Sequence, residues 1–500
     1  MDENNEKILT IDVSSKFIKV ALISTELKLI TTLKKKLVVN SEDIDGFAKN
    51  IDMNDLWVKI QEMISIILKN HQNVIGISSC AQRIASVFVD KKGEVLYGGP
   101  NTDIRGIDSA FLIEDEFSEE DLFEITGHNP SILFSLSRLL WFKEEEEALY
   151  RKIAKILMLD DWLVYKLTGI YCSDPSSAAE SQLLDVKKVQ WSREIIDAFD
   201  FDSDMFPQLV DSGTIVGNLV PNLRDKFNIN HKEIPIIKSG GDTQASLLGM
   251  GVIDSNSIGI TLGTTAPIQL VVERPLIDPN HNYWTSCHSI KGKWLIEAHA
   301  GNTGTVYDWF IDGFLSEISN DPYALMDTYL KETIKGEFST FAFLGPEHMN
   351  IKNQTSIKRG SFVFQPPSLI SEEYPTIKNF ARSVVENIAF GILENHQSLV
   401  KIQPTNKKTY CAGGMANSTE FNSILANVLH NDILIPSIKD SSFIGAAMNS
   451  LIALNKFQDY GKIIDELINY NVYKYDSEIS NSYARIYHEW KNMKSKIDNL

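Results

Sequence analysis

Cysteine is scarce. Only Cys80, Cys172, Cys287 and Cys411 occur in 500 residues, with no CxxC pair and no metal-ligand spacing. That excludes a disulfide scaffold, and the four read as buried thiols in a reducing compartment. No apolar run approaches the ~18 residues a membrane-crossing helix needs, the longest candidates being short pieces such as Ile64–Leu68. The first residues, Met1-Asp2-Glu3-Asn4-Asn5-Glu6-Lys7, are acidic and polar, the reverse of a secretory signal. Positive charge is in deficit: Lys+Arg 48 against Asp+Glu 66 leaves a net −18, which argues against a non-specific polyanion binder. The expectation is a cytoplasmic protein whose partners are small molecules, with neither nucleic acid nor membrane among them.

What is present is ordinary globular material, 43% hydrophobic and 10% aromatic. At this length a single core stops growing, so two or three domains are expected. The segment Ile8–Ile23 holds two β-rich runs around the polar turn Val13-Ser14-Ser15-Lys16, with Asp12 ending the first run. A similar segment recurs at Ser257–Val272, and Ser14/Ser15 lie 250 positions before Thr264/Thr265. Ile18 and Val20 keep that offset to Ile268 and Leu270, which suggests a duplicated α/β unit.

Strands and helices alternate in each half. Val74–Ser78, Ala85–Val89, Ile234–Lys238, Thr409–Ala412 and Ile433–Pro436 read as strands. Leu136–Leu149, Ile156–Leu167, Gln244–Met250, Phe380–Lys401 and Ile444–Leu454 carry helical apolar spacing. No low-complexity linker separates the halves, so a tight hinge is expected near Gly251–Ser257, dividing domains 1–252 and 253–500.

Two hydroxyl-bearing hairpin turns can aim backbone N–H groups at one phosphate tail from opposite sides without a basic patch. Asp12 at a strand end could face a Mg²⁺ carried by those phosphates. Asp242, in Gly240-Gly241-Asp242 between a strand and a helix, could accept a proton from an attacking hydroxyl. Gly413-Gly414 before a helix allows close backbone approach to a ligand. Each residue also has a plainer reading. Asp242 suits a helix N-cap and Asp12 a strand-end turn. Gln82-Arg83 suits a surface pair, and Asp103-x-Arg105 a local salt bridge. His281, His288 and His299 show no ligand spacing and read as ordinary polar or core histidines.

The order of the motifs carries more than any one of them. Leu9-Thr10-Ile11-Asp12, Ala81-Gln82-Arg83, Asn101-Thr102-Asp103-Ile104-Arg105 and Asp161–Gly169 are followed by Gly240-Gly241-Asp242 and Leu262-Gly263-Thr264-Thr265. Ala412-Gly413-Gly414 and Asp440–Ala447 complete the series. In this order they resemble the FGGY carbohydrate kinases over nearly the whole chain. The resemblance implies an α/β fold of two ribonuclease-H-like domains with a cleft between them, and ATP-dependent phosphorylation of a sugar or polyol hydroxyl with Mg²⁺. It implies Asp242 as catalytic base and Asp12 as the aspartate beside the metal. Ser14, Ser15, Thr264, Thr265 and Gly304 would lie near the phosphates, and Gly413, Gly414 and Ser418 on the adenosine side. Gln82, Arg83 and Asp103, with Leu133-Phe134, would meet the sugar. Family members are often dimers, so a homodimer is the corresponding expectation.

The family usually has Asp-x-Gly-Thr-[Ser/Thr] in its first turn, where this chain reads Asp12-Val13-Ser14-Ser15-Lys16. Losing the glycine restricts φ, and Lys16 brings a charge beside the phosphate site. Within the family the likeness is to the autoinducer-2 kinases and the xylulokinase group, the former through Asn101-x-Asp103-x-Arg105. The substrate expected is a short, neutral, polyhydroxylated molecule. A non-catalytic sugar or nucleotide sensor and an actin/Hsp70-like ATPase acting on a protein remain as alternatives, the latter disfavoured by the sugar-contact positions.

Overall fold

The computed structural model describes residues 6–71, 73–229, 233–336, 339–350, 359–367, 374–404, 408–438 and 440–497. The six-stranded N-terminal sheet holds β1 (Lys7–Val13), β2 (Phe17–Ser24), β3 (Leu29–Lys36), β4 (Val74–Ala81) and β5 (Pro235–Gly241), with Ile215–Asn218 antiparallel on its far edge. β1 pairs antiparallel with β2 and β2 with β3, while β4 runs parallel to β1 and β5 parallel to β4. The C-terminal sheet repeats this plan with β6 (Ser257–Thr261), β7 (Pro267–Val272), β8 (Trp294–His299), β9 (Lys408–Ala412) and β10 (Ile433–Pro436). There β6–β7 and β7–β8 are antiparallel, and β6–β9 and β9–β10 parallel. This strand order is that of a ribonuclease-H-like unit, made twice.

The sequence follows from where each strand lies. β1 is an almost unbroken apolar run because helices cover both of its faces, and all but Lys7 are buried. β3 alternates and ends in Lys34-Lys35-Lys36, a charged strand on the sheet edge. The 250-residue offset holds for the second strand of each hairpin only. Val13 faces Ile18, whereas Ile260 faces Ile268, so the second turn is longer by three residues.

Four helices matter for the site: α1 (Asp242–Met250), α2 (Thr303–Phe310), α3 (Ile377–Ile402) and α4 (Ser441–Ala453). α4 belongs to the C-terminal half but packs on the N-terminal sheet, where Phe443, Ala447 and Leu451 join Ile8, Ala21 and Ile23 in one buried cluster. It crosses α1 at backbone contact, since a Cβ at Gly445 would stand 1.8 Å from the Ala245 carbonyl oxygen. A fifth helix, α5 (Ser477–Ile497), buries Tyr483 and Trp490 in the C-terminal core.

One segment departs from its pattern. Ile156–Leu167 is not one helix: Lys155–Met158 is a strand paired with Ser86–Val89, and the helix begins at Leu159. The β-rich Ile156-Leu157-Met158 gains a sheet partner, and Asp161 ends the strand by accepting the Met158 N–H at 2.9 Å. Likewise Leu136–Leu149 breaks at Glu146 into Ser135–Glu145 and Glu147–Tyr150. All four cysteines are buried and unpaired. Among the described residues no helix is long and apolar enough to cross a membrane.

Candidate active site

Ligands of α/β sheets bind beyond the carboxyl ends of parallel strands. Here β1 delivers Ser14 and Ser15 there, β4 delivers Gln82 and Arg83, β5 delivers Asp242, and β6 delivers Gly263, Thr264 and Thr265. All of these line a single cleft of about 1240 Å³. Trp284, His299, Asn302, Glu347 and Lys494 complete its walls on the C-terminal side.

Asp242 is the first residue of α1, and the N-cap position is taken by Gly241 without any side-chain bond. The capping alternative therefore falls away, and the carboxyl faces the cleft with the Thr243 hydroxyl donating to it at 3.2 Å. Burial pushes its pKa up to about 7, Asp12 adds to the rise, and the Arg83 guanidinium opposes it. Asp12 is nearly buried at the end of β1. One of its carboxylate oxygens, Oδ2, accepts the Ser442 hydroxyl at 2.9 Å, while Oδ1 has no partner among the described residues. Burial raises this carboxyl, with Lys19 working against the rise. A buried carboxylate oxygen without a donor suits a hydrated divalent cation, so the donor set fits Mg²⁺ held through water.

After β4, the Gln82 N–H is fixed by the Val13 carbonyl at 2.8 Å, and its side-chain Nε2 is buried without a partner among the described residues. Arg83 forms a two-pronged ion pair with Glu297 at 2.7 and 3.0 Å and reaches Glu180 at 3.3 Å. Leu133 lines the cleft, but Phe134 is fully buried against His128 and Trp284. The expected sugar contact from Asp103 needs correction. Its carboxylate is fully buried and is taken up by the Lys49 N–H, the Tyr97 hydroxyl and Arg105 Nε. The local salt-bridge reading is the one realised, and it holds the loop on which Asn101 reaches the cleft.

In the first hairpin turn, Ser14 closes its own turn. Its hydroxyl donates to the Phe17 carbonyl at 3.1 Å and accepts the Phe17 N–H at 3.3 Å. No residue from Ser14 to Lys16 has positive φ, so the turn does without glycine. Lys16 is exposed and does not line the cleft. Gly304, at the start of α2, packs under the second turn: a Cβ there would lie 2.1 Å from the Gly263 carbonyl oxygen. The Thr305 N–H then donates to the Thr264 carbonyl at 3.1 Å. Gly413 has φ +120° and abuts Leu262, whereas a Cβ on Gly414 would meet nothing within 4 Å. Ser418, expected on the adenosine side, caps the following helix by accepting the Phe421 N–H and donates to Asp327.

Sequence reading missed the far wall. His299 lines the cleft, while His281 stacks on Phe123 and His288 bonds the Val252 carbonyl, as core histidines do. Glu180 and Glu297 lie in segments without a motif. Lys494 arrives from the far end of the chain on α5. Only the Arg83 side chain, which needs a buried counter-ion if it is itself buried, could have signalled the two glutamates.

Comparison with known proteins agrees with this geometry. The family model for the N-terminal domain of FGGY carbohydrate kinases matches residues 7–249, and that for the C-terminal domain matches 258–454. The chain is 28% identical to the putative sugar kinase YoaC of Bacillus subtilis (strain 168), over 97% of this chain and 96% of that one. It is 23% identical to an autoinducer-2 kinase of Salmonella paratyphi B, over 80% and 76%. The crystal structure of a gluconate kinase from Lactobacillus acidophilus shares the fold at TM-score 0.86, covering 99% of this chain and 98% of that chain at 18% identity. With both domain models matched in register with the two sheets, the chain belongs to the FGGY family of carbohydrate kinases.

Proposed function

We propose that the protein transfers the γ-phosphate of ATP to a hydroxyl of a small ketose or polyol. Phosphotransfer to an alcohol group is the activity of its family; the acceptor and the residue roles are the proposal. The observation that supports it most is the pairing of a raised carboxyl, Asp242, with two hydroxyl-bearing turns on one cleft.

In this reading the acceptor hydroxyl hydrogen-bonds to Asp242, which takes its proton as the new P–O bond forms. A base with pKa about 7 is half ionised near neutral pH and strong enough to accept that proton. Backbone N–H groups of the two turns hold the phosphates from both lobes, and closure of the lobes keeps water from competing as acceptor. Asp12 would hold Mg²⁺ through water with its unpartnered Oδ1, and the ion when bound offsets charge on the phosphates. Gln82 and Asn101 are the polar groups available to orient the sugar. The autoinducer-2 kinase relative supports a second acceptor, the linear polyhydroxylated precursor of that signal.

ADP release measured across ketopentoses, polyols and the autoinducer-2 precursor tests this. Acceptor-dependent ADP formation that is lost in Asp242→Ala, with nucleotide binding retained, is the expected result. Binding without ADP release from any acceptor would turn the reading into that of a sensor.

A further inference from the structure

A cleft that handles sugars and carries Arg83 and Lys494 looks able to take a sugar acid, yet neither cation is free. Arg83 stands between Glu297 (2.7 and 3.0 Å) and Glu180 (3.3 Å), whose side chains are each 1% exposed. On the opposite wall Lys494 stands between Glu347 (3.0 Å) and Glu394 (3.5 Å). Among the described residues that line the cleft these are the lysine and arginine side chains, and Asp242 and Glu347 line the same space. The imidazoles of this region give no help to an anion: burial lowers His128, His299 and His348 and keeps them neutral. Two positive charges thus face four paired carboxylates and the base. Met349, two residues after Glu347, packs with Phe123, Phe134 and Trp284 and against Ile84 and Leu133, which brings this wall beside the Arg83 side of the cleft.

We propose that this arrangement is a charge filter that rejects acidic acceptors, and that Lys494, supplied by the C-terminal helix α5, is a specificity-determining residue together with Glu347 and with Glu394 of α3. α5 lies beyond the segment matched by the family model, whereas Glu347 and Glu394 lie within it. An aldonate or sugar phosphate would have to displace a carboxylate from Arg83 or Lys494, while a polyol or ketose needs only hydrogen bonds. The inference rests on the acceptor lying beside Asp242, as proposed above.

The test compares neutral and acidic partners of equal length: glycerol with glycerate, xylitol with xylonate, and glucitol with gluconate. Both ADP release and the thermal stabilisation each compound gives the ADP-bound protein are measured, at low and high salt. Each neutral member used is expected to exceed its acid at least tenfold in kcat/KM, with the gap narrowing as salt screens the carboxylates. Glu347→Gln and Glu394→Gln should each narrow it at least threefold, through a lower KM for the acid. An acid used as well as its polyol, or a gap unmoved by both variants, overturns the filter. If no compound yields ADP the phosphoryl-transfer reading fails, and the stabilisation data still decide the filter: equal stabilisation within a pair, or none, overturns it.

Discussion

Ser442 Oγ donates a 2.9 Å hydrogen bond to Asp12 Oδ2, joining residues 430 positions apart and tying the end of β1 to a helix from the C-terminal half. Beside it, Lys19 on β2 pairs with Asp440 at 2.8 Å, so the start of α4 is tied twice to the hairpin that carries Asp12. The bond occupies one carboxylate oxygen and leaves Oδ1 open.

Ser442→Ala should therefore loosen Asp12 without touching the acceptor. A hydrogen bond to a charged group contributes about 1.5–3 kcal/mol, or roughly one to two decades in an equilibrium constant. The expected result is a rise of about tenfold in the Mg²⁺ concentration needed for activity and a smaller gain in thermal shift on adding Mg²⁺ to ADP than in the native protein. Ser442→Thr should restore both, and an unchanged Mg²⁺ requirement would count against the link.

Asp242→Asn should cut kcat by about 10²–10⁴, the usual contribution of a positioned base, while ADP still stabilises the protein. The acidic limb of the native pH–rate profile should have its midpoint near 7 and vanish in the variant. Stability moves the other way. A carboxyl raised on folding binds its proton more tightly in the folded state, so folding weakens as pH climbs from the unfolded value toward about 7. Asn escapes this, so the variant should melt higher than the native protein at pH 8 and no higher at pH 4.

How much of this was written in the sequence depends on the range of the interaction. The strand-turn-strand segments, Gly240-Gly241-Asp242 and the two-domain plan depend on local chemistry and could be read from neighbouring residues. The corrections arise where partners are distant. Nothing near Asp103 shows that the Lys49 N–H, 54 positions away, shares its carboxylate with Arg105, and nothing near Ser418 points to Asp327. Ile156–Met158 fits a helical spacing until Ser86–Val89 offers a sheet edge. The far wall of the cleft was invisible for the same reason, its Lys494 being brought in by α5 from the other end of the chain.

Ser14→Gly restores the family's residue at a turn that no longer needs it. The hydroxyl's two bonds to Phe17 are lost and the unfolded chain gains freedom, a combined cost of about 1–2 kcal/mol. KM for ATP should change by less than about threefold, because the Ser14 side chain serves the turn and the backbone serves the phosphate. A large gain in ATP affinity would show instead that serine impairs the site.

Gly413 and Gly414 can be told apart by one methyl each. At Gly413, alanine would be strained by φ +120° and would stand 2.4 Å from the Leu262 carbonyl oxygen, so the second turn must shift. Gly413→Ala should lose more than about 1 kcal/mol of stability and weaken ATP binding with it. At Gly414 the methyl meets nothing within 4 Å, so Gly414→Ala should fold normally. Any loss of ADP-induced stabilisation in that variant then reports contact with the nucleotide itself.

The strand that carries Asp242 is anchored by a buried ion cluster whose charges do not balance. Lys238, on β5, contacts Asp160, Asp161 at 2.5 Å and Asp174 at 3.3 Å, and all four are buried. Burial works against Asp174's charge, yet Lys238 and the Ser176 and Ser212 hydroxyls hold its carboxyl low. Burial raises Asp160, and it raises Asp161 to about 7, so one ammonium does not keep three carboxylates ionised. Lys238→Met removes the sole cation of the group and should cost about 3–5 kcal/mol, the usual penalty for stranding buried charge. Asp160→Asn removes one negative charge and keeps a hydrogen-bonding oxygen, so it should cost far less. Because acids raised on folding destabilise the protein as pH climbs, Asp160→Asn should also flatten the fall in melting temperature between pH 5 and 8. Thermal denaturation of both variants across that range separates the two effects. Equal losses in both would mean that the cluster is held by shape rather than by charge.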